Sequence, residues 1–379
     1  MKLINLMFLF LSKPCALEAF KGGHDPMFGF IQPNNVLDIF QRWMVQHSVL
    51  YADLSTTWRR FQIFKTNVQR AFDLNEKHGG LTTFGLTQFA DLTPQEFLKN
   101  QLIPGIAKLF NASSQRIFPR SRKSRTELVS EIDWTKKGVV PPVRNQGKVG
   151  TCYIFSTLDM ISSRWAMKGN PAVNLSVEQV ADCLAVAPDL FSDSLACGIN
   201  GGLPYAVFRY IKKVGGVTTE EMYPYCVGSG TCKPCAPPGY DPEMCERYPL
   251  NDCDKADSCP AKLDTSQFVQ GLMVNTWTDV MPEEETIAHV LETEGPLTCA
   301  VDASDLQLYK SGILVPDRCR PYDLNHACLL VGYGVDRNVS YWKVKNSWGR
   351  QFGEDGYYRI ARGIGACGIH RYVSTVTLE

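Results

Sequence analysis

Net charge is the first thing this 379-residue chain lacks: 39 Lys and Arg balance 39 Asp and Glu. A dedicated nucleic-acid binder carries a basic excess against phosphates, so the balance argues against that class. Long apolar runs are missing too. The run from Leu3 to Leu11 is too short to span a bilayer and no later stretch is long enough, which removes a membrane-spanning helix from the reading. There is no internal repeat, so solenoids and propellers drop out. The length then suits a large core plus a second module.

What is present points to export. MKLINLMFLFLSKPCALEAF sets Lys2 before the apolar run and small residues at Ala16 and Ala19, the make-up of a secretory signal peptide over residues 1–19. A buried N-terminal helix is the alternative, disfavoured because Lys13 and Pro14 stop the run. Fourteen cysteines in an exported chain imply an oxidising compartment and mostly disulfides. N-x-S/T triplets at Asn111, Asn174 and Asn338 offer glycosylation sites. Charge is unevenly spread: residues 1–130 hold 16 basic against 9 acidic side chains, and 131–379 hold 23 against 30. Segments of opposite sign can dock, and such docking weakens as carboxylates protonate.

Residues 37–78 carry helical periodicity. In LSTTWRRFQIFKTNVQRAFDLNEKHGG, Trp58, Phe61, Phe64, Val68, Ala71 and Phe72 recur at three- and four-residue spacing, and Gly79-Gly80 ends the helix. Thr93, Pro94 and Glu96 form a capped start for another. NASSQRIFPRSRKSR, residues 111–125, is basic and aperiodic, an exposed linker open to proteolysis. Cys152–Lys168 reads as a largely buried helix, and Val173–Val214 as further helices with a Gly-rich turn. From about Leu297 short strands take over in LTCAVDA, ACLLVGYGV, YWKVKNSW and GYYRIARG. Helices first and strands later predict an α+β fold of two subdomains with a cleft between them.

The cysteine of NQGKVGTCYIFS, Cys152, stands where a turn enters a helix. It can be a nucleophile, half of a disulfide or a small buried hydrophobe. A helix N-terminus favours the thiolate. Thiol hydrolysis also needs a base, a group that orients it, and donors for an oxyanion. His326 in DLNHACLLVGYG, Asn346 in VKNSWGRQFGEDGYY with Trp348 as a shield, and Gln146 upstream of Cys152 are of the required types. A lone histidine in an apolar stretch is more often a core residue; the set carries the weight.

In this order and context the motifs resemble the papain-like cysteine peptidases of the cathepsin L, F and O kind. The residues that carry the likeness are Gln146-Gly147, Cys152-Tyr153, Asn200-Gly201-Gly202, Asn325-His326-Ala327 with Gly332-Tyr333-Gly334, and Asn346-Ser347-Trp348-Gly349. IDWTKKGVVPPVRNQG looks like the start of a mature peptidase, and ACGIHRYVS like the family's last strand. The first third resembles ERFNIN-type propeptides at Arg60, Phe64, Asn67 and Asn75, with Thr56 and Ala71 as departures. GLTQFAD keeps Gly85, Phe89 and Asp91 of the companion motif, with Thr87 for its Asn.

The resemblance implies a papain-like fold, a helical left and an antiparallel, barrel-like right subdomain, behind a helical prodomain. Residues 20–128 would be the prodomain and 129–379 the mature domain. The prodomain would lie in the cleft in reverse orientation and be cut off in acid. By position, Cys152 would be the nucleophile, His326 the general base and later acid, Asn346 the holder of the ring, and Gln146 an oxyanion donor. Substrate backbone would lie against Gly201 and Gly202. Leu203, Pro204, Ala300, Leu324 and Ala327 would line the pocket for the residue two before the cut, with Tyr372 at its floor and Trp348 on the cleft wall. An uncharged floor favours Leu or Val over Arg. Cys319 and Cys367 match a family disulfide. The reading needs no cofactor or metal. Its partners are protein and peptide substrates, its own prodomain and cystatin-type inhibitors, with no nucleic acid or membrane, on a monomer in the lysosome or outside the cell.

The chain also departs from the pattern. The bridging Cys three residues before the nucleophile is Val149, which leaves Cys197 without its usual partner. Tyr153 and Phe352 replace tryptophans, and the Tyr153 hydroxyl needs a partner if buried. The segment at about 226–259 is cysteine-rich: Cys232 and Cys235 allow a zinc reading, and a disulfide-stapled loop is the bland and favoured one. It holds no histidine, so the dipeptide trimming of cathepsin B-like enzymes is not carried over. Cys299 and Cys328 read as buried thiols, a cross-strand bond being the outside alternative. Two rival functions remain: a catalytically weak binding or inhibitor protein, and acyl transfer to amines.

Overall fold

A computed structural model describes residues 35–103, 128–184, 198–232, 235–236, 251–252 and 259–379. The signal-peptide segment, the 111–125 linker with Asn111, and Cys197, Cys245 and Cys253 lie outside them. The chain divides into two compact units, 1–48 and 49–379. In the first, α1 (Val36–Gln46) buries Val36, Ile39, Phe40 and Trp43 on one face.

The second unit opens with α2 (Leu54–His78), where Asp53 caps the start by accepting from the Thr56 N–H and Gly79 closes the end in left-handed conformation. The single helix expected over 37–78 is therefore two helices. Ser48 turns to a positive φ of 52°, and Asp53 nucleates a fresh helix beyond it. The buried face of α2 is Phe64, Asn67, Val68 and Ala71; Trp58 is exposed. β1 (Thr82–Phe84) follows, then α3 (Pro94–Gln101), which has the full Thr93/Glu96 capping box.

After β2 (Ile132–Asp133) come α4 (Cys152–Met167), α5 (Val177–Cys183) and α6 (Pro204–Val214). β3 (Val274–Asp279) and α7 (Glu284–Glu294) lead to β4 (Leu297–Val301), β5 (Tyr309–Leu314), β6 (His326–Asp336), β7 (Val339–Lys345), β8 (Tyr357–Ala361) and β9 (Val373–Leu378). Among the described residues nine strands form one sheet, ordered β1-β5-β8-β7-β6-β4-β9-β3, with β2 on β6.

The sheet is mixed rather than purely antiparallel, because β5 runs parallel to β8. The long excursion through β6 and β7 gives the chain room to return in the same direction. At the edge, β1 from the first third pairs antiparallel with β5. α4 packs between the other helices and the sheet, and its first thirteen residues are all buried. None of the helices among the described residues is long and apolar enough to cross a membrane.

Three disulfides occur among the described residues: Cys183–Cys259, Cys226–Cys232 and Cys319–Cys367. The first two staple the cysteine-rich region and take Cys232 away from the zinc reading. Cys299 and Cys328 face each other across β4 and β6 yet remain buried thiols.

Candidate active site

Two walls meet at Cys152. The thiol begins α4 and is fully buried. The Ala327 N–H lies 3.5 Å from its Sγ, so the first turn of the helix abuts the first residues of β6. His326 is the residue that opens β6.

Hydrogen bonds assign the histidine tautomer. Asn346 Oδ1 accepts from the Ser347 N–H at 2.8 Å and lies 2.8 Å from His326 Nε2. An amide oxygen can only accept, so Nε2 carries the proton. Nδ1 is then the basic nitrogen, and it is buried without a hydrogen-bond partner. Trp348 stacks on the ring with centroids 4.6 Å apart. Burial drives the His326 pKa down to about 4, and the Asn346 bond offsets only part of that.

Gln146 joins the two walls. Its backbone N–H donates to Ser347 O at 2.8 Å, and its Oε1 accepts from Ser347 Oγ at 2.6 Å. Held at both points by Ser347, the side-chain amide has a set orientation. One Nε2 proton goes to Val149 O at 2.8 Å, and the amide carries a second. Deeper in, Asp159 of α4 receives Arg144 Nη2 at 2.9 Å and a short contact from Lys345 Nζ. The residues just before Gln146 and Asn346 are thereby anchored to the helix that presents Cys152. Burial lowers the Lys345 pKa, and the Asp159 charge opposes the shift.

The departures from the pattern are accommodated. The buried Tyr153 hydroxyl donates to Gly198 O at 2.9 Å. Phe352 stands edge-on to Trp348 at 4.8 Å, and Val149 is buried.

Most of the residues expected at the pocket lie in the core. Leu203, Ala300, Leu324, Ala327 and Tyr372 belong to one buried apolar cluster, and Pro204 is buried at the start of α6. Ala300 pairs with Ala327 across β4 and β6, and its N–H donates to Tyr372 O at 3.0 Å. Gly201 and Gly202 are buried.

An internal segment lies on these residues. Ile103 is in the same cluster and its N–H donates to Asn325 O at 2.6 Å. A Cβ on Gly201 would fall 2.5 Å from Ile103 Cγ2, and its φ of +118° is one that L side chains rarely adopt, so glycine suits the close approach. Phe89 and Phe97 stand edge-on to Trp348 at 5.2 and 5.6 Å, and Gln88 Nε2 donates to Trp348 O at 2.7 Å. Gln307 Nε2 donates to Leu92 O at 2.7 Å, while its Oε1 accepts from Arg70 at 3.0 Å. Sequence reasoning gave no role to Phe97, Ile103, Gln307 or Ser347. Phe97 had a signal, since it directly follows the capping box; the parts played by the others are visible only in three dimensions.

Residues 128–377 match the papain family cysteine protease model, and residues 40–97 match the cathepsin propeptide inhibitor domain. The chain is 31% identical to cathepsin F of Mus musculus over 344 residues, covering 90% of this chain and 65% of that protein. Pro-cathepsin H of Medicago truncatula is 32% identical over 333 residues, covering 87% of this chain and 83% of that protein. A recombinant stem bromelain precursor superposes with a TM-score of 0.72 at 28% identity, covering 91% of this chain and 99% of that one. The chain belongs to the papain family of cysteine proteases and carries a propeptide inhibitor domain.

Proposed function

We propose that this papain-family chain is the zymogen of a thiol endopeptidase whose working groups are Cys152, His326, Asn346 and Gln146. The observation that carries the reading is the Asn346 contact at His326 Nε2, which leaves Nδ1 as the base. His326 takes the Cys152 proton, and Sγ attacks the scissile carbonyl carbon. The Cys152 N–H and Gln146 Nε2 hold the oxyanion. The tetrahedral species collapses as imidazolium protonates the leaving amine, giving a thioester. Water, deprotonated by His326, attacks the thioester and returns the thiol and a free carboxylate.

Residues 20–128 are the inhibitory prodomain and 129–379 the mature domain in this reading, with the cut between Arg120 and Asp133. Acid favours release. The docked form holds His326 at about 4, whereas a water-exposed imidazole titrates near ~6.5. Between those values the docked form binds fewer protons. Docking is therefore strongest above the window and weakens as pH falls through it. Glu96 acts in the same direction at lower pH through the prodomain's own fold, since Arg60 and Thr93 belong to the same segment. Burial raises its pKa, but the Thr93 N–H and Arg60 outweigh burial and hold it below the usual value. Asp91 opposes release, since burial raises its pKa and its protonation favours the closed form.

A pocket floored by Tyr372 selects Leu or Val over Arg; a fluorogenic dipeptide series checks this, and an Arg preference would reject it. Asn174 and Asn338 are exposed and suit glycans in the secretory pathway, lysosomal or extracellular; endoglycosidase digestion of exported protein checks them. The mature enzyme is a monomer open to cystatin-type inhibitors, which gel filtration and titration with a cystatin check. The whole reading is tested by acidifying the purified proform. Loss of the mass of the N-terminal segment should coincide with the onset of peptide hydrolysis. Equal hydrolysis by Cys152→Ala would remove Cys152 from the mechanism, and no hydrolysis by the processed wild type would favour the weak binding or inhibitor alternative.

A further inference from the structure

The turn from Gln146 to Cys152 has no covalent brace at Val149, yet the loop 225–232 grips it. Gly147 and Gly228 meet backbone to backbone. A Cβ on Gly147 would fall 1.8 Å from Gly228 O, and one on Gly228 would fall 2.2 Å from Gln146 O. In the same loop the Tyr225 hydroxyl lies 2.8 Å from Gln146 O and 2.8 Å from Thr151 Oγ1. A phenol has one proton and a carbonyl can only accept, so Tyr225 donates to Gln146 and accepts from Thr151. One hydroxyl thus ties both ends of the turn together. Thr151 holds the N-cap position of α4, but its side chain caps nothing there; the hydroxyl turns to Tyr225 instead.

The loop that carries Tyr225 is itself held. Cys226–Cys232 closes it. Glu178 Oε2 accepts from the Cys226 and Val227 N–H groups at 3.0 and 3.2 Å. Glu220 accepts from the Tyr225 N–H at 2.7 Å and from Arg144 at 3.2 Å. The Tyr225 ring stands edge-on to Phe155 of α4 at 5.1 Å.

We propose that Tyr225 is a positioning residue for the oxyanion side of the site, acting through Gln146 and Thr151 and resting on the roles given above to Gln146 and Cys152. It touches no reacting atom. Its hydroxyl sets where the Gln146 amide stands relative to the start of α4. Losing it lets the Gln146 amide drift from the Cys152 N–H while the thiol, imidazole and pocket stay in place.

The test compares processed wild type, Tyr225→Phe, Thr151→Val and the double variant, each normalised to active sites with an epoxide thiol-protease probe. Tyr225→Phe should lower kcat about 10-fold with KM within about twofold, and weaken a peptide aldehyde by a similar factor, because its adduct places an oxygen among the same donors. Alkylation of Cys152 by iodoacetamide forms no oxyanion and should stay within about twofold of wild type. Thr151→Val should show the same pattern, and the double variant should be no worse than Tyr225→Phe. Unchanged kcat and aldehyde affinity in Tyr225→Phe overturns the proposal, and so does alkylation that falls as far as kcat. If Tyr225→Phe does not fold, Thr151→Val decides by the same readouts. Failure of the underlying roles looks different: wild type itself would then show no Cys152 labelling, or Gln146→Ala would leave kcat unchanged.

Discussion

The two walls of the site hold their groups by different means. On the strand wall, His326 opens a paired strand, Asn346 follows another, and Trp348 lies over the ring beneath Phe89, Phe97 and Phe352. On the helical wall, Gln146 sits in a turn outside the sheet, fixed by hydrogen bonds with Ser347, Val149 and Tyr225. Packing sets the first wall and directional bonds the second. Packing spreads a substitution over many neighbours; a single bond can be removed by one atom. The strand wall should therefore lose function through large truncations, and the helical wall through small ones.

The largest effects fall where the walls meet. Cys152→Ala or His326→Ala should lower kcat/KM of the processed enzyme by about 10⁴-fold or more, with little change in thermal midpoint. Stopped peptide hydrolysis and a melting curve measure both, and residual activity near wild type would remove either residue from the mechanism. Asn346→Ala should cost about 10²-fold, because the ring can then take either tautomer. A pH–rate profile with an altered histidine limb distinguishes this from simple unfolding.

The next effect probes the lid over the strand wall. Phe89→Ala leaves a void beside Trp348 and should weaken prodomain docking by about 3 kcal/mol, moving processing to higher pH. Glu96→Gln should move it in the same direction by less, because it removes a carboxylate held below its usual pKa in the closed form. Gel analysis of processing across a pH series reads both, and a shift to lower pH contradicts the sign. The smallest effect belongs to Tyr153→Phe. It leaves Gly198 O without the Tyr153 proton and should destabilise by about 1–2 kcal/mol with catalysis nearly unchanged.

The two walls also differed in how legible they were. The strand wall was readable because motif and periodicity coincide: DLNHACLLVGYG and YWKVKNSW announce strands and carry His326 and Asn346 at their ends. The capped start at Thr93 and the helix from Cys152 were likewise local signals. The bonds that orient Gln146 were not readable, since Ser347 and Tyr225 lie far from it along the chain and meet it only after folding. The break between α1 and α2 was missed because no glycine or proline stands between them, and a positive φ at Ser48 leaves no strong sequence mark. The parallel pairing of β5 with β8 is a fact of topology, and no residue pattern encodes it.

The central claim is that a competent Cys152–His326 pair lies closed under the prodomain. An epoxide thiol-protease probe applied to the proform before and after acidification, with the labelled residue located by mass spectrometry, tests it most directly. The account predicts negligible labelling before processing and stoichiometric labelling at Cys152 afterwards. Equal labelling of the closed proform, or none at Cys152 once the prodomain is gone, would contradict it.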